Sequence, residues 1–229
     1  MKNTTEWSSM DSLYNNKKRS VKMNKLNNKP YNLLHITSKC NAEKILKNGF
    51  ISSIHDIKKQ QNQWLGDGVY FWDGNDDNIA DFGKKMLKNK FKKKDMVELY
   101  GLIEIEKDRH INLEEKDDNE LFCDFIKKIN PEKADDMLTL IRALHGEENA
   151  NPTELAKIGK LLGKNINFFV KAMNKNGYEI DMVSCYFYHG SSKIENLFGR
   201  REKNRRQFCI KNMNLLNDNI EQFKIYNNS

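Results

Sequence analysis

Residues 31–50, YNLLHITSKCNAEKILKNGF, combine a short apolar run, one histidine and a helix-like segment that stops at a glycine. The run YNLLHIT predicts a strand, because its apolar residues cluster over a short length. Ser38 then offers an N-cap, and Ala42, Ile45 and Leu46 form an apolar helix face that ends at Gly49. His35 lies in this predicted strand, and the role of its imidazole has to be inferred from the motifs in the rest of the chain.

The flanking sequence alternates between strand and helix patterns. VYFW at 69–72 and MVELYGLIEIE at 96–106 read as strands, and residues 76–94 return to a helix. From about 113 to 175 the apolar spacing becomes helical, which predicts a helical insertion. GYEIDMVSCYFYHG and RQFCIKNMNLL then read as two late strands. This order predicts an α+β fold with a mostly antiparallel or split β-sheet.

Composition and charge limit the class of protein. The 229 residues are 38% hydrophobic and 31% charged, which is typical of a globular chain. Residues 1–29 are polar and basic and are expected to form a loosely ordered arm, with one domain over 30–229. No apolar run approaches the roughly 18 residues of a membrane span, and no secretory signal opens the chain, so we expect a cytoplasmic protein that contacts no membrane.

Several chemistries lose their usual sequence support. The four cysteines, Cys40, Cys123, Cys185 and Cys209, are scattered without metal-ligand spacing, so we expect free thiols and no metal. GxxxxGK, HExxH and GxSxG are all absent, which argues against phosphate-loop, zinc and serine hydrolases. The net charge of +7 favours acidic partners.

Three predicted strands each carry one unusual polar residue: His35, Tyr70 and Gln207. Glycines flank the second of these strands in WLGDGVYFWDG, where the backbone must turn tightly or approach another group closely. Together with the His35 strand and the helix ending at Gly49, this order resembles the ADP-ribosyltransferase fold of the His-Tyr-Glu group, which is poly(ADP-ribose)-polymerase-like and diphtheria-toxin-like. The resemblance covers roughly residues 31–106 and 177–216.

The resemblance implies NAD as a substrate, no metal, and a set of site residues. His35 would hydrogen-bond a ribose hydroxyl, Tyr70 would stack on the nicotinamide, and Phe82 would close the other face. Backbone groups of Ile36 and Thr37 would hold the carboxamide. The remaining cofactor-binding positions implied by the family pattern are Gly49, Gly68 and Phe71.

Two positions depart from the family pattern. The family usually has glycine after the histidine, where this chain has Ile36, and Gln207 stands where the catalytic glutamate is expected. A glutamine amide can hydrogen-bond a ribose hydroxyl but cannot act as a base. Chain elongation is therefore not expected. Single-unit transfer, NAD hydrolysis and an inactive binding fold stay open.

The function that we expect is mono-ADP-ribosyl transfer to a macromolecule by a bacterial or phage toxin, effector or defence protein, with an antitoxin or immunity protein as a further partner. The alternative is an inactive member of the fold that binds NAD, ADP-ribose or nucleic acid. The loop GRREKNRRQ before Gln207 carries Arg200, Arg201, Arg205 and Arg206, and guanidinium groups suit phosphates. The sequence therefore favours nucleic acid over protein as the acceptor, although a solvated basic loop is an equal reading of the same residues.

Overall fold

The computed structural model describes residues 27–54, 63–88, 95–129, 152–188 and 204–226. Within these residues seven strands form one mixed sheet: β1 (Asn28–Ser38), β2 (Val69–Asp73), β3 (Met96–Glu106), β4 (His110–Asn112), β5 (Met182–Tyr188), β6 (Asn204–Ile210) and β7 (Lys224–Tyr226). The α-helices are α1 (Lys39–Asn48), α2 (Ile79–Leu87), α3 (Lys116–Ile129), α4 (Pro152–Lys175) and α5 (Met213–Asp218). The predicted α+β class is confirmed.

The strand order in the sheet is β4-β5-β6-β2-β1-β3-β7, and every neighbouring pair is antiparallel except β4 and β5. All of β1, from Asn28 to Ser38, pairs with β3. In contrast, β1 and β2 pair only at Leu33–Asp73 and Leu34–Trp72. The middle of the sheet is therefore joined by a short junction, beyond which β1 continues alongside β3 alone.

Helices cover both faces of the sheet. We call the side covered by α2, α3 and α4 the helical face; its two apolar clusters are centred on Phe122 and Phe169 under α3 and α4, and on Ile79 and Leu34 under α2. We call the other side the α1 face, where Ala42 of α1 and Leu216 of α5 pack on Phe71 and Phe208. The helices α3 and α4 lie between β4 and β5 in the chain, at the place of the predicted insertion.

The end of α1 shows why a glycine is needed there. Ser38 Oγ accepts a hydrogen bond from Asn41 N at the start of the helix, and Gly49 closes it with a φ of 85°. A Cβ on Gly49 would lie 2.6 Å from Asn217 Oδ1, the atom that accepts a hydrogen bond from Phe50 N at 2.7 Å. Both the positive φ and this contact exclude a side chain.

Some predictions of secondary structure were wrong or cannot be compared. The late strand ends at Ile210, and the NMNLL residues that we expected to continue it enter α5, because Asn212 caps that helix by accepting from Asn214 N and Leu215 N. The short strands β4 and β7 were not predicted. Residues 28 and 29, which we assigned to the basic arm, belong to β1 because they pair with β3. The rest of the arm, residues 1–26, and the middle of the predicted helical insertion, residues 130–151, lie outside the described residues. No helix in the described part of the chain is both long and apolar enough to cross a bilayer.

Candidate functional site

His35 lies where β1 and β2 part. Beyond the Leu34–Trp72 pair the two strands no longer bond, and the His35 ring occupies the gap, with Nδ1 2.9 Å from the carbonyl oxygen of Tyr70. A carbonyl can only accept, so Nδ1 carries a proton and donates it. In the neutral ring Nε2 then holds the lone pair. The imidazole thus replaces a strand-to-strand hydrogen bond at the end of the junction.

Aromatic side chains fix the orientation of this imidazole. Its ring makes edge contacts with Phe50 and Phe71, at centroid distances of 5.8 and 5.6 Å. Phe71 is 1% exposed and belongs to the core of the α1 face. Phe71 therefore packs against the His35 ring from the core of the α1 face, and its own ring is too buried to contact a ligand.

Tyr70 lies on the helical face, where its ring packs on the cluster under α4. Its hydroxyl donates to Gly66 O at 2.7 Å and accepts from Leu65 N at 3.0 Å, and burial raises its pKa well above the ordinary value. We call residues 66–68, just before β2, the glycine loop. It requires glycine at position 68, because a Cβ on Gly68 would lie 2.5 Å from both Cys209 Sγ and Ile210 O. The Tyr70 hydroxyl is therefore occupied by main-chain groups of the loop before β2, and its ring is partly buried against the cluster under α4.

Gln207 is half-buried on β6, directly opposite Trp72 of β2 and Cys185 of β5. Because directly opposed residues share a face, Gln207 lies on the helical face with Tyr70, which is opposite Cys209. Such a diagonal pair has its Cα atoms about 7–8 Å apart. The fold therefore brings Gln207 near Tyr70, whereas the His35 ring packs on the α1 face and reaches Tyr70 through its main chain.

Phe82, on α2, contacts a residue that the sequence analysis did not select. Its ring meets Trp72 edge-on at 5.5 Å, and the guanidinium carbon of Arg205 lies 5.6 Å from its centroid. Arg205 Nε is also 3.2 Å from Asp76 Oδ2. Trp72 thus stands beside both Phe82 and Gln207. The period of two in VYFW carried this signal, since it puts Tyr70 and Trp72 on one face.

Ile36 and Thr37, the residues after His35, are both 5% exposed. Ile36 packs under α2, where a Cβ added to Gly83 would lie 2.3 Å from its Cδ1. The isoleucine side chain thus fills the space between β1 and α2. Thr37 Oγ1 accepts a hydrogen bond from Asn41 Nδ2 at 3.4 Å, which ties it to α1.

The predicted arginine cluster is divided by the strand. Arg200 and Arg201 lie outside the described residues. Arg205 and Arg206 are neighbours on β6 and therefore point to opposite faces. Arg206 Nη2 lies 3.5 Å from Glu114 Oε2, and its guanidinium carbon is 4.5 Å from the Tyr186 ring centroid. The structure does not bring these two guanidinium groups together.

A buried polar chain, absent from the sequence analysis, crosses the α1 face. Tyr31 Oη lies 2.7 Å from His110 Nδ1, and His110 Nε2 lies 2.9 Å from Ser184 Oγ. Ser184 Oγ donates to Asn112 Oδ1 at 3.1 Å, so it accepts from His110 Nε2–H, and Tyr31 donates to Nδ1. Burial foremost, and then Arg206 and Lys29, lower the pKa of His110 from 6.5 to about 3. The ring is neutral and links β1 to β4 and β5.

Among the described residues, no group of three or more His, Cys, Asp or Glu side chains is placed to hold a metal ion. None of the four cysteines forms a disulfide bond. Comparison with family models, with curated proteins and with solved structures gives no match to this chain.

Proposed function

We propose that this protein is an NAD-dependent mono-ADP-ribosyltransferase whose site lies at the β1–β2 junction. The observation that carries the proposal is the His35 imidazole, which holds the parting strands through the Tyr70 carbonyl at 2.9 Å. Tyr70 and Gln207 lie on neighbouring strands and share the helical face, the side of the sheet opposite the His35 ring. The order of histidine, tyrosine and glutamine on three strands, together with the glycine loop, is the arrangement that the family resemblance implies.

The reaction breaks the bond between the nicotinamide nitrogen and ribose C1′. The electron pair leaves with the nicotinamide and neutralises its ring, while positive charge develops on the ribose. Tyr70 would stack on the nicotinamide, and Nε2 of His35 would accept a hydrogen bond from a ribose hydroxyl. A nucleophile on the acceptor then donates its lone pair to C1′ and loses its proton to solvent. One ADP-ribose unit is transferred.

Gln207 sets the limit of this chemistry. Its amide oxygen can accept a hydrogen bond from a ribose hydroxyl, but an amide neither takes a proton at neutral pH nor carries a negative charge. The proposed enzyme therefore relies on a strong nucleophile and does not extend a chain. By the family resemblance it acts as a toxin, effector or defence protein inside cells, with a nucleic-acid acceptor favoured over protein and an antitoxin or immunity protein as partner.

The test is nicotinamide release and label transfer by the purified protein, incubated with biotinylated NAD and a cell lysate. Label lost to nuclease alone indicates a nucleic-acid acceptor, and label lost to protease alone indicates a protein. His35→Ala and Tyr70→Ala should each reduce turnover at least about tenfold, since one hydrogen bond or stacking contact is commonly worth about 1–2 kcal/mol. Wild-type turnover in both folded variants would remove the site from this junction.

Ile36 and Gln207 favour a second candidate, an inactive member of the fold that binds NAD, ADP-ribose or nucleic acid. The Ile36 side chain fills the space next to Gly83 on α2, and Gln207 lacks the charge that stabilises a ribosyl cation. This candidate predicts NAD or ADP-ribose binding by calorimetry without nicotinamide release. Measurable release by the wild-type protein would exclude it.

A further inference from the structure

A wide groove runs along α4, on the side of the glycine loop away from α2. Its volume is about 1510 Å³, which exceeds the roughly 300–1,000 Å³ of an ordinary small-molecule pocket. One wall is a single stripe of α4: Lys164, Asn167, Phe168, Lys171, Asn174 and Lys175. The opposite wall comprises Asp67 and the residues that follow β6.

The groove has an uneven balance of available charge. Arg109 is held by Asp181, with Nε and Oδ2 2.8 Å apart, and by Glu179 at 2.9 Å. Lys211 donates to the carbonyl oxygens of Leu65 and Asp67. These contacts pair the carboxylates of Glu179 and Asp181 with Arg109 and hold the Lys211 amine against main-chain oxygens. The three lysines of the α4 stripe outnumber the other acidic residue of the lining, Asp67, and set the sign of the field.

The three stripe lysines, Lys164, Lys171 and Lys175, are exposed, and none forms an ion pair within the described part of the chain. Between the first and the last the helix rises about 16 Å. At the roughly 3.4 Å per nucleotide of one strand in B-form DNA this corresponds to about five nucleotides, and to fewer when the strand is extended. The spacing therefore suits several phosphates of a polymer better than a single anion.

Phe168 adds a flat apolar surface between these cations. Its side chain is 50% exposed, and Lys164 Nζ lies 5.8 Å from its ring centroid. An exposed phenyl ring flanked by lysines is the combination that single-stranded nucleic acid needs, since a base stacks on the ring while phosphates bind the amines. A duplex keeps its bases stacked on each other and offers no free face to Phe168. An acidic peptide would use the lysines but not the ring.

We propose that the α4 groove binds single-stranded nucleic acid, with phosphates along Lys164, Lys171 and Lys175 and a base on Phe168. In the context of the proposed function, from which it takes only the class of acceptor, this groove would seat the acceptor strand. It replaces the arginine loop as the binding surface, because the described arginines of that loop point to opposite faces of the sheet.

The experiment measures fluorescence anisotropy of a labelled 12-nucleotide single strand, as DNA and as RNA, without NAD. Lys164→Glu/Lys171→Glu should lower the affinity at least about tenfold. It should also reduce the magnitude of the slope of log K against log salt by about 1.4, at about 0.7 for each of the two lost phosphate contacts. Lys44→Glu/Lys224→Glu makes the same charge change at exposed residues outside the groove and should alter affinity less than about threefold.

The aromatic contact has its own variants and competitors. Phe168→Ala should lower affinity about fivefold or more, whereas Phe168→Trp should retain it. Equal losses in the control and groove variants, or displacement by duplex or poly-glutamate as effective as by the single strand, would overturn the proposal. If the wild-type protein releases nicotinamide but does not bind the oligonucleotide, the groove proposal alone is refuted. If it binds the oligonucleotide but does not release nicotinamide, the transferase proposal alone is refuted.

Discussion

Replacing His110 by glutamine should remove about 2 kcal/mol of the stability that the fold loses between pH 8 and pH 5. In the native protein this imidazole is neutral, accepts from Tyr31 and donates to Ser184, deep in the α1 face. Its pKa is lowered to about 3, chiefly by burial. In the unfolded chain a histidine titrates near 6.5. Between about pH 3 and pH 6.5 the histidine of the unfolded chain is therefore protonated, whereas the buried imidazole of the folded protein stays neutral.

The sign and size of the effect follow from that difference. Because the folded pKa is the lower one, the stabilising contribution is complete above about pH 6.5 and is lost as the pH falls toward 3. pH 5 lies about 1.5 units below the unfolded pKa of about 6.5. At about 1.36 kcal/mol per unit, protonation of the unfolded chain therefore lowers the free energy of unfolding by about 2 kcal/mol. For a chain of this length that is about 4–8 °C in Tm.

The assay is urea unfolding followed by tryptophan fluorescence at pH 8 and pH 5, at constant ionic strength, for the wild type and His110→Gln. The wild type should lose about 2 kcal/mol more than the variant between the two pH values. The difference between the two proteins matters, because Asp181, whose pKa is raised by burial, titrates in both. Parallel pH profiles would show that His110 is not held neutral in the fold.

Three further predictions concern the site and its support. Gln207→Glu should raise nicotinamide release or change its product, since a carboxylate stabilises a ribosyl cation; an unchanged rate and product would put Gln207 outside the site. Ile36→Gly should tighten NAD binding by calorimetry if the side chain blocks the nicotinamide, and weaker binding in a folded variant would contradict that reading. Lys84→Met should destabilise the fold by about 3–5 kcal/mol, because it leaves Glu98, 3% exposed, without the amine 2.5 Å away. The double variant Lys84→Met/Glu98→Met should recover much of that loss in the same denaturation assay, and no recovery would refute the ion-pair argument.

The sequence predicted the elements with strong local signals. The run around His35, the Ser38 cap and Gly49 fixed β1 and α1, and the alternation at 96–106 fixed β3, because period and capping are local properties. The three-residue strands β4 and β7 carry too few residues for a period to appear. The NMNLL segment has strand-like composition, and only the cap at Asn212 turns it into a helix.

The candidate site divides in the same way. The residues of the family pattern could be selected from their order, but the face of each side chain depends on the register between strands, which no local pattern contains. Trp72 was missed because its place opposite Gln207 depends on the register between β2 and β6. Arg205 and Arg206 were taken together because their segment was predicted as a loop, whereas both lie in β6, where neighbouring side chains alternate between faces. The Tyr31–His110–Ser184 chain joins residues far apart in sequence, and nothing in the sequence of β4 distinguishes His110 from a surface histidine.

The short β1–β2 junction explains why the same residues serve both the fold and the proposed site. Two paired positions hold the middle of the sheet, and the His35 imidazole and the Tyr31–His110 hydrogen bond add the connections that further strand pairing would otherwise supply. A gap between strands exposes main-chain groups that a ligand can use, but it also removes hydrogen bonds that stabilise the sheet. His35 compensates for one of them at the Tyr70 carbonyl. Substitution of His35 should therefore change both stability and the proposed NAD contact, and only turnover measured beside the free energy of unfolding separates the two roles.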